Sequence, residues 1–237
     1  MSNTYFQFKQ FTVHQDRCAM KVSTDACIAG SWTKVPADAK RVLDIGTGTG
    51  LLALMLAQKN QDVIIDGIEL DTDAAEQARE NVAASHWADR INIIQADASL
   101  HLYKDCYDFI ITNPPFFNKS LLSHKEQRNM ARHTGSLNYM TLFNIINDNL
   151  ADNGFASVLL PVREHEIWAD ILRENKWSVI EQLNIYPGEA KPANRIVSIC
   201  TKQEGIAPKD EHLAIRSMNG AYTTEFNKLM QSYYLDK

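Results

Sequence analysis

A chain of 237 residues, 45% apolar and 22% charged, is long enough to bury a sizeable core as one large domain with a small extension, and its composition is that of an ordinary globular protein. No apolar stretch approaches the about 20 residues that span a bilayer, and the first residues lack the basic and apolar blocks of a leader peptide, so no membrane association and a cytosolic setting are expected. The net charge of -5 argues against nucleic-acid binding over the whole surface but not against a local basic face; Cys18, Cys27, Cys106 and Cys200 show no Cys-x-x-Cys spacing, and no metal is expected.

In chain order, Phe6 to Val13 alternates apolar and polar residues and reads as a β segment, and Asp25 to Trp32 reads as a short helix with Thr24 as its cap. Residues 1–34 are expected to be an extension packed on a main domain of residues 35–237. In that domain β-rich runs alternate with helical patterns: strands at Arg41 to Ile45, Val63 to Glu69, Ile91 to Gln95, Tyr107 to Thr112, Phe155 to Leu160, Trp177 to Tyr186 and Arg195 to Thr201. Helices are expected at Gly50 to Lys59, Asp73 to Ala84, Leu137 to Asn149 and Glu164 to Asn175, with a turn at Asn153-Gly154. Pro187 to Asn194 is too short for a helical crossover, so the last strand should run antiparallel to its neighbour. The expected class is α/β: a seven-stranded, mostly parallel, Rossmann-like sheet with helices on both faces. Tyr222 to Leu235 reads as an aromatic-rich helix, most simply used for core packing.

The first strand runs into Asp44-Ile45-Gly46-Thr47-Gly48-Thr49-Gly50, a glycine-rich turn that lets a ligand approach the backbone. Position 51 is Leu, so the Gly-x-Gly-x-x-Gly pattern of dinucleotide sites is not met. Asp44 favours a cationic ligand over a pyrophosphate, which suits the sulfonium and ammonium groups of S-adenosylmethionine; its alternative role is to stabilise the turn. Glu69 ends the second strand, where a carboxylate can accept from ribose hydroxyls. Leu70 can touch the adenine, while Asp71 reads as a surface acid in preference to a ribose ligand. Asp97, past the third strand, can accept from the adenine amino group and Ala98 can offer its backbone; a helix cap or Asx-turn is the competing role of Asp97.

The fourth strand runs into Asn113-Pro114-Pro115-Phe116, about 65 residues after the glycine loop. Alone the tetrapeptide is a common turn former; after a strand and behind a cofactor loop it is specific. An exocyclic amino nitrogen on a base is a poor nucleophile until its lone pair is drawn out of conjugation. The Asn113 side-chain oxygen and the Pro114 carbonyl can each accept one of its N–H groups on a backbone stiffened by Pro114 and Pro115. An amide takes no proton at neutral pH, so this is preorganised electrostatics, with the methyl passed by in-line displacement. Phe116 can stack on the base; Phe117 can stack or pack.

The loop and the Asn113 motif together resemble the class I S-adenosylmethionine-dependent amino methyltransferases. With Phe8 to Phe11, Asp16 to Asp25 and Leu51 to Gln58, the wider pattern is similar to the bacterial tRNA (adenine-N6)-methyltransferases that act on adenine 37 of a valine tRNA. The likeness covers most of the chain and is looser in the last quarter, and Phe116 stands where many relatives carry Tyr. It implies S-adenosylmethionine as cofactor, tRNA as partner and adenine N6 as acceptor. Charge placement agrees: Lys119, Lys125, Arg128 and Arg132, with His124 and His133, face the single acid Glu126 in the stretch after Phe117, and can grip phosphates or form a solvated loop. Lys191 and Arg195, with Lys9, Arg17 and Lys21, can extend that rim, though Lys21 and Thr24 can instead line the cofactor pocket. Rival readings are a protein glutamine-amide methyltransferase, a ribosomal RNA base methyltransferase, and a noncatalytic RNA-binding assembly factor on the same fold.

Overall fold

The computed structural model describes residues 3–114 and 138–236. The chain opens with an antiparallel hairpin of β1 (Tyr5–Gln7) and β2 (Thr12–His14), in which Tyr5 pairs with His14 and Gln7 with Thr12. The N-terminal alternation is thus folded back on itself, with Phe8 and Phe11 stacked at the bend, 4.5 Å between centroids. Helix α1 (Thr24–Trp32) follows, capped by Ser23 rather than Thr24: the Ser23 hydroxyl accepts from the Ala26 N–H.

The remaining elements are β3 (Arg41–Ile45), α2 (Leu51–Lys59), β4 (Ile64–Glu69), α3 (Thr72–Ala83), β5 (Ile91–Gln95), β6 (Tyr107–Thr112), α4 (Tyr139–Asn149), β7 (Leu150–Pro161), α5 (Val162–Glu174), β8 (Ser178–Tyr186), β9 (Arg195–Thr201), β10 (Lys209–Ala214) and α6 (Thr224–Met230). Among the described residues the main sheet has eight strands in the order β10-β8-β9-β7-β6-β3-β4-β5. Only β9 runs against the rest, antiparallel to both β7 and β8, as the short Pro187–Asn194 connection requires. Strand β10 exceeds the seven expected and adds parallel to β8 at the edge. Its sequence, Lys-Asp-Glu-His-Leu-Ala, buries only Leu213, so no apolar alternation announces it. The Asn153-Gly154 turn is instead part of β7: two residues of β6, Tyr107 and Phe109, stand opposite Leu150 and Phe155, and the extra residues between them bulge.

The sheet splits the core in two, as period-2 strands demand. Val42 packs into a cluster with Met55, Ala78, Phe226 and the hairpin residues Phe8 and Val13. Its neighbours Leu43 and Ile45 pack into a second cluster with Leu142, Ile146, Trp168 and Ile171 of α4 and α5. Residue 222 onward is shorter as a helix than expected, but Phe226, Met230 and Tyr233 are buried in the first cluster. Among the described residues no helix is long and apolar enough to cross a membrane, and no group of three or more His, Cys, Asp or Glu is arranged to hold a metal.

Candidate active site

Strand β3 lies between β4 and β6, so the chain order reverses around it and a crevice opens beyond its carboxyl end. A cavity of about 730 Å³ occupies that position, a size suited to a cofactor. Its walls include Gly46, Gly48, Glu69, Leu70, Asp97, Ala98 and Asn113. Residues more than 60 apart in sequence are thereby gathered at one sheet edge.

The loop's geometry explains its composition. Gly46, Gly48 and Gly50 have φ of 70°, 56° and 81°, the left-handed region where a side chain is strained. A Cβ at Gly46 or Gly48 meets no protein atom within 4 Å, so the space before the loop is open to a ligand. Gly50 stands apart from the cavity wall as the N-cap of α2 and approaches Ala78 of α3, 3.6 Å from where its Cβ would sit. The loop is tied to β4 by the N–H groups of Gly46 and Thr47, both donating to the Ile68 carbonyl at 2.9 and 3.1 Å.

Asp44 does not reach the cavity surface. It is fully buried beneath the loop, where Oδ2 accepts from the Thr47 hydroxyl at 2.6 Å, the Ala53 N–H favours the carboxylate more weakly, and Oδ1 has no partner within hydrogen-bond geometry among the described residues. Burial pushes its carboxyl up to about 7. Glu69 is fastened at both oxygens: Oε2 accepts from the Gly48 N–H at 2.9 Å and Oε1 from the Asp71 N–H at 3.0 Å. A carboxylate accepts about four hydrogen bonds, so capacity remains toward the cavity. Asp71 caps α3, accepting from the Ala74 N–H at 2.8 Å, which gives it a purpose beyond that of a surface acid. Asp97 forms the Asx-turn: Oδ1 accepts from the backbone and hydroxyl of Ser99 at 2.8 and 2.6 Å, and these bonds hold its carboxyl below the usual range. Leu70 is 64% exposed, a large apolar side chain presented at the cavity wall.

Across the cavity, Thr112 anchors the end of β6 by donating to the Ile45 carbonyl at 2.8 Å, and Asn113 follows. Its Oδ1 is buried and accepts nothing among the described residues. A buried acceptor left unpaired costs about 1–3 kcal/mol, so such an atom calls for a partner. Pro114 is buried beside it. Pro115, Phe116, Phe117, Lys119, Lys125, Arg128 and Arg132 lie outside the described residues.

The cavity also has walls that sequence reasoning passed over. Cys18 to Val22 line it, so Lys21 belongs to the pocket while Thr24 does not. Asn138 and Thr141 line it too, joined as cap and first turn of α4 by the Thr141 N–H donating to Asn138 Oδ1 at 2.7 Å; an Asn before an apolar helical run was the available signal. Gly67 in β4 matters for a different reason: a Cβ there would lie 3.0 Å from Thr47 Oγ1, so its absence makes room for the loop. Of the outlying basic residues, Arg195 pairs through Nε with Asp25 at 3.2 Å, Lys9 with Asp236 at 2.7 Å, and Arg17 with Glu80. Lys191 is exposed in the connection between β8 and β9.

Comparison with known proteins bears on the family and the fold. The Methyltransferase small domain family matches residues 32–137, which contain the glycine loop and Asn113. A tRNA1(Val) (adenine(37)-N6)-methyltransferase from Parabacteroides distasonis is 39% identical over 99% of both chains. One of the same name from Yersinia pseudotuberculosis is 42% identical over 98% of this chain and 92% of that one. The chain belongs to the tRNA1(Val) (adenine(37)-N6)-methyltransferase family. Among solved structures, a predicted O-methyltransferase from Agrobacterium tumefaciens superposes with a TM-score of 0.67 at 17% identity, covering 88% of this chain and 96% of that one. The glycopeptide N-methyltransferase MtfA, solved with S-adenosylmethionine, gives 0.57 at 11% identity, covering 78% and 96%. These two establish the class I methyltransferase fold.

Proposed function

We propose that this chain methylates the N6 amino group of adenine 37 in the anticodon loop of a valine tRNA, with S-adenosylmethionine as the donor. The observation that carries the reading is the unpaired, buried Asn113 Oδ1 at the wall of the same cavity as Gly48 and Glu69. When bound, the donor supplies an electrophilic methyl carbon. The chain's residues fit it: open space before Gly46 and Gly48 admits its backbone-hugging end, and the carboxylates of Glu69, Asp71 and Asp97 give the cavity the sign a cation prefers. Glu69 would hold the ribose hydroxyls with its remaining lone pairs, and Leu70 and Ala98, which line the same cavity, would hold the adenine.

Asn113 Oδ1 and the Pro114 carbonyl accept the two N–H groups of the target amine and draw its lone pair toward the methyl. No side-chain general base is needed at neutral pH, because the methylated nitrogen would be cationic and acidic enough to release its proton to solvent water. Pro115 stiffens the turn and Phe116 stacks on the base. An anticodon-loop base is splayed out at modest cost, and Lys119, Lys125, Arg128, Arg132 and Lys191 are assigned to the phosphates around it, whereas Arg195 is held by Asp25. Residues 1–34 serve as an extension on the 35–237 domain, and the protein works in the cytosol, where its tRNA is. The names of the relatives support the substrate, and the buried acceptor oxygen disfavours a noncatalytic assembly factor, which needs no such atom.

The test is transfer of labelled methyl from S-adenosylmethionine to total tRNA, ribosomes and protein extract from a strain lacking the gene, with mass spectrometry of the tRNA nucleosides. Label is expected in the tRNA fraction as N6-methyladenosine. Label confined to ribosomes or to glutamine side chains in protein overturns the reading.

A further inference from the structure

Helix α3 does more than connect β4 to β5. Gln77 and Asn81 sit four residues apart, one turn above the other on the same face, and are 2% and 1% exposed. Neither lines the cavity, yet both commit their amides to segments that do or that lead into it. Asn81 Oδ1 accepts from the His14 N–H at 2.9 Å, and its Nδ2 donates to the carbonyls of His14 and Thr49, each at 2.9 Å. Gln77 Oε1 accepts from the Arg17 N–H at 2.8 Å, and its Nε2 donates to the Asp16 carboxylate at 3.1 Å.

His14 closes the N-terminal hairpin, and Thr49 lies between two glycines of the cofactor loop. A single amide therefore ties the two together. Between His14 and α1 the chain makes a strap, latched on itself by the Val22 N–H donating to the buried Gln15 Oε1 at 2.8 Å. Residues Cys18 to Val22 of that strap wall the cavity together with Gly46, Gly48 and Glu69. Arg17 adds ion pairs with Glu80 and, at 3.7 Å, with Glu76, both on α3.

The chemistry of position 81 is restrictive. It needs one acceptor and two donors on a short stem, which only an amide supplies. A carboxylate would turn an oxygen toward two carbonyls, and an alkyl group would leave the buried Thr49 carbonyl and the part-buried His14 backbone groups without these partners.

We propose that Asn81, assisted by Gln77, is a positioning residue for the methyl donor: it fixes the strap and the glycine loop relative to each other, so the donor cavity is formed before the ligand enters. The inference rests on the donor reading above and places Asn81 in contact with backbone, not with the ligand.

Calorimetric titration of the full-length chain with S-adenosylhomocysteine tests it, on the parent, Asn81→Asp and Gln77→Ala. Asn81→Asp is expected to weaken binding about tenfold or more, the scale of one or two buried hydrogen bonds, and Gln77→Ala by less. KM for the donor should rise in step while KM for tRNA stays put. Amide hydrogen exchange should quicken in residues 14–22 and 47–50 and not in β3 or β6. Affinity within about twofold of the parent in a folded Asn81→Asp chain overturns the inference, that being less than one net hydrogen bond. So does an equal rise in both KM values, which marks general loosening. Should Asn81→Asp not fold, Gln77→Ala decides alone, because it leaves the His14 and Thr49 bonds in place: unchanged affinity with unchanged exchange at 14–22 rejects the clamp. A parent chain that fails to bind S-adenosylhomocysteine rejects the donor reading itself, a result distinct from a parent that binds and variants that match it.

Discussion

The two ends of the cavity are finished to different degrees. At the donor end the polar side chains already have partners: both oxygens of Glu69 take backbone N–H groups, Asp97 is closed into a turn by Ser99, and Asp71 caps a helix. At the acceptor end Asn113 holds out a buried oxygen with no partner among the described residues. The donor end keeps its shape by internal bonds, so a ligand finds it ready. The acceptor end carries a local cost that an incoming N–H offsets, which turns desolvation already suffered in folding into selectivity for an amino group.

The sharpest way to break this contrast is Asn113→Ala. Removing one preorganised acceptor should lower kcat/KM for tRNA methylation by about 10²- to 10³-fold, comparable to the loss of one oxyanion-hole donor. Calorimetric affinity for S-adenosylhomocysteine should remain near that of the parent, and thermal stability should hold or rise because a buried unpaired atom is gone. Undiminished methylation would remove Asn113 from the chemistry, and a matching loss of donor affinity would erase the distinction between the two ends.

Asp44 offers a smaller effect on the donor side, where it is the exception with an unpartnered oxygen of its own. Burial raises its carboxyl from the usual 3.8 to about 7, so across that interval the folded chain keeps a proton that the unfolded chain has released. Stability contributed by this group is therefore complete below about pH 4 and is lost as pH rises toward 7. Asp44→Asn should flatten that decline and make the ligand-free protein about 1–3 kcal/mol more stable than the parent at pH 8, since each tenfold change in proton affinity between the folded and unfolded chain is worth about 1.4 kcal/mol. The same change should weaken binding of cationic S-adenosylmethionine more than that of neutral-sulfur S-adenosylhomocysteine. Thermal unfolding at pH 5 and pH 8 with and without each ligand measures both. A variant less stable at pH 8, or equally weakened toward both ligands, would leave Asp44 as a loop-stabilising residue only.

How much of this was legible in the sequence follows from what each feature depends on. The strand ends at Ile45, Glu69, Gln95 and Thr112 were readable because apolar runs meet turn residues there, and the fold then brings Gly46, Glu69, Asp97 and Asn113 to one edge without further information. Strand β10 was invisible because it is held by backbone pairing to β8 and buries one side chain. The strap at Cys18 to Val22 has no regular period, and its place on the cavity depends on hydrogen bonds to Gln77 and Asn81 that cross about 60 residues of chain. Asp44 was read by its charge, whereas the structure makes it a buried group whose charge depends on pH. Spacing reveals which residues lie at the end of a strand. It does not reveal which of their oxygens are already taken.

The smallest expected effect separates two basic residues that the sequence grouped together. Arg195 is paired with Asp25 at 3.2 Å and donates to the Asn194 carbonyl at 2.9 Å, and burial raises the Asp25 carboxyl despite that neighbour. Lys191 stands exposed a few residues earlier. If Lys191 meets a phosphate, Lys191→Ala should weaken tRNA binding and lower the dependence of log affinity on log salt by about one ion. Arg195→Ala should instead lower thermal stability by about 1 kcal/mol, by stripping a half-buried carboxylate of its partner, with little change in the salt slope. Filter-binding titrations at several salt concentrations, paired with unfolding curves, read both quantities. A slope lowered by Arg195→Ala as much as by Lys191→Ala would return Arg195 to the RNA rim, and a slope unchanged by Lys191→Ala would take Lys191 out of it.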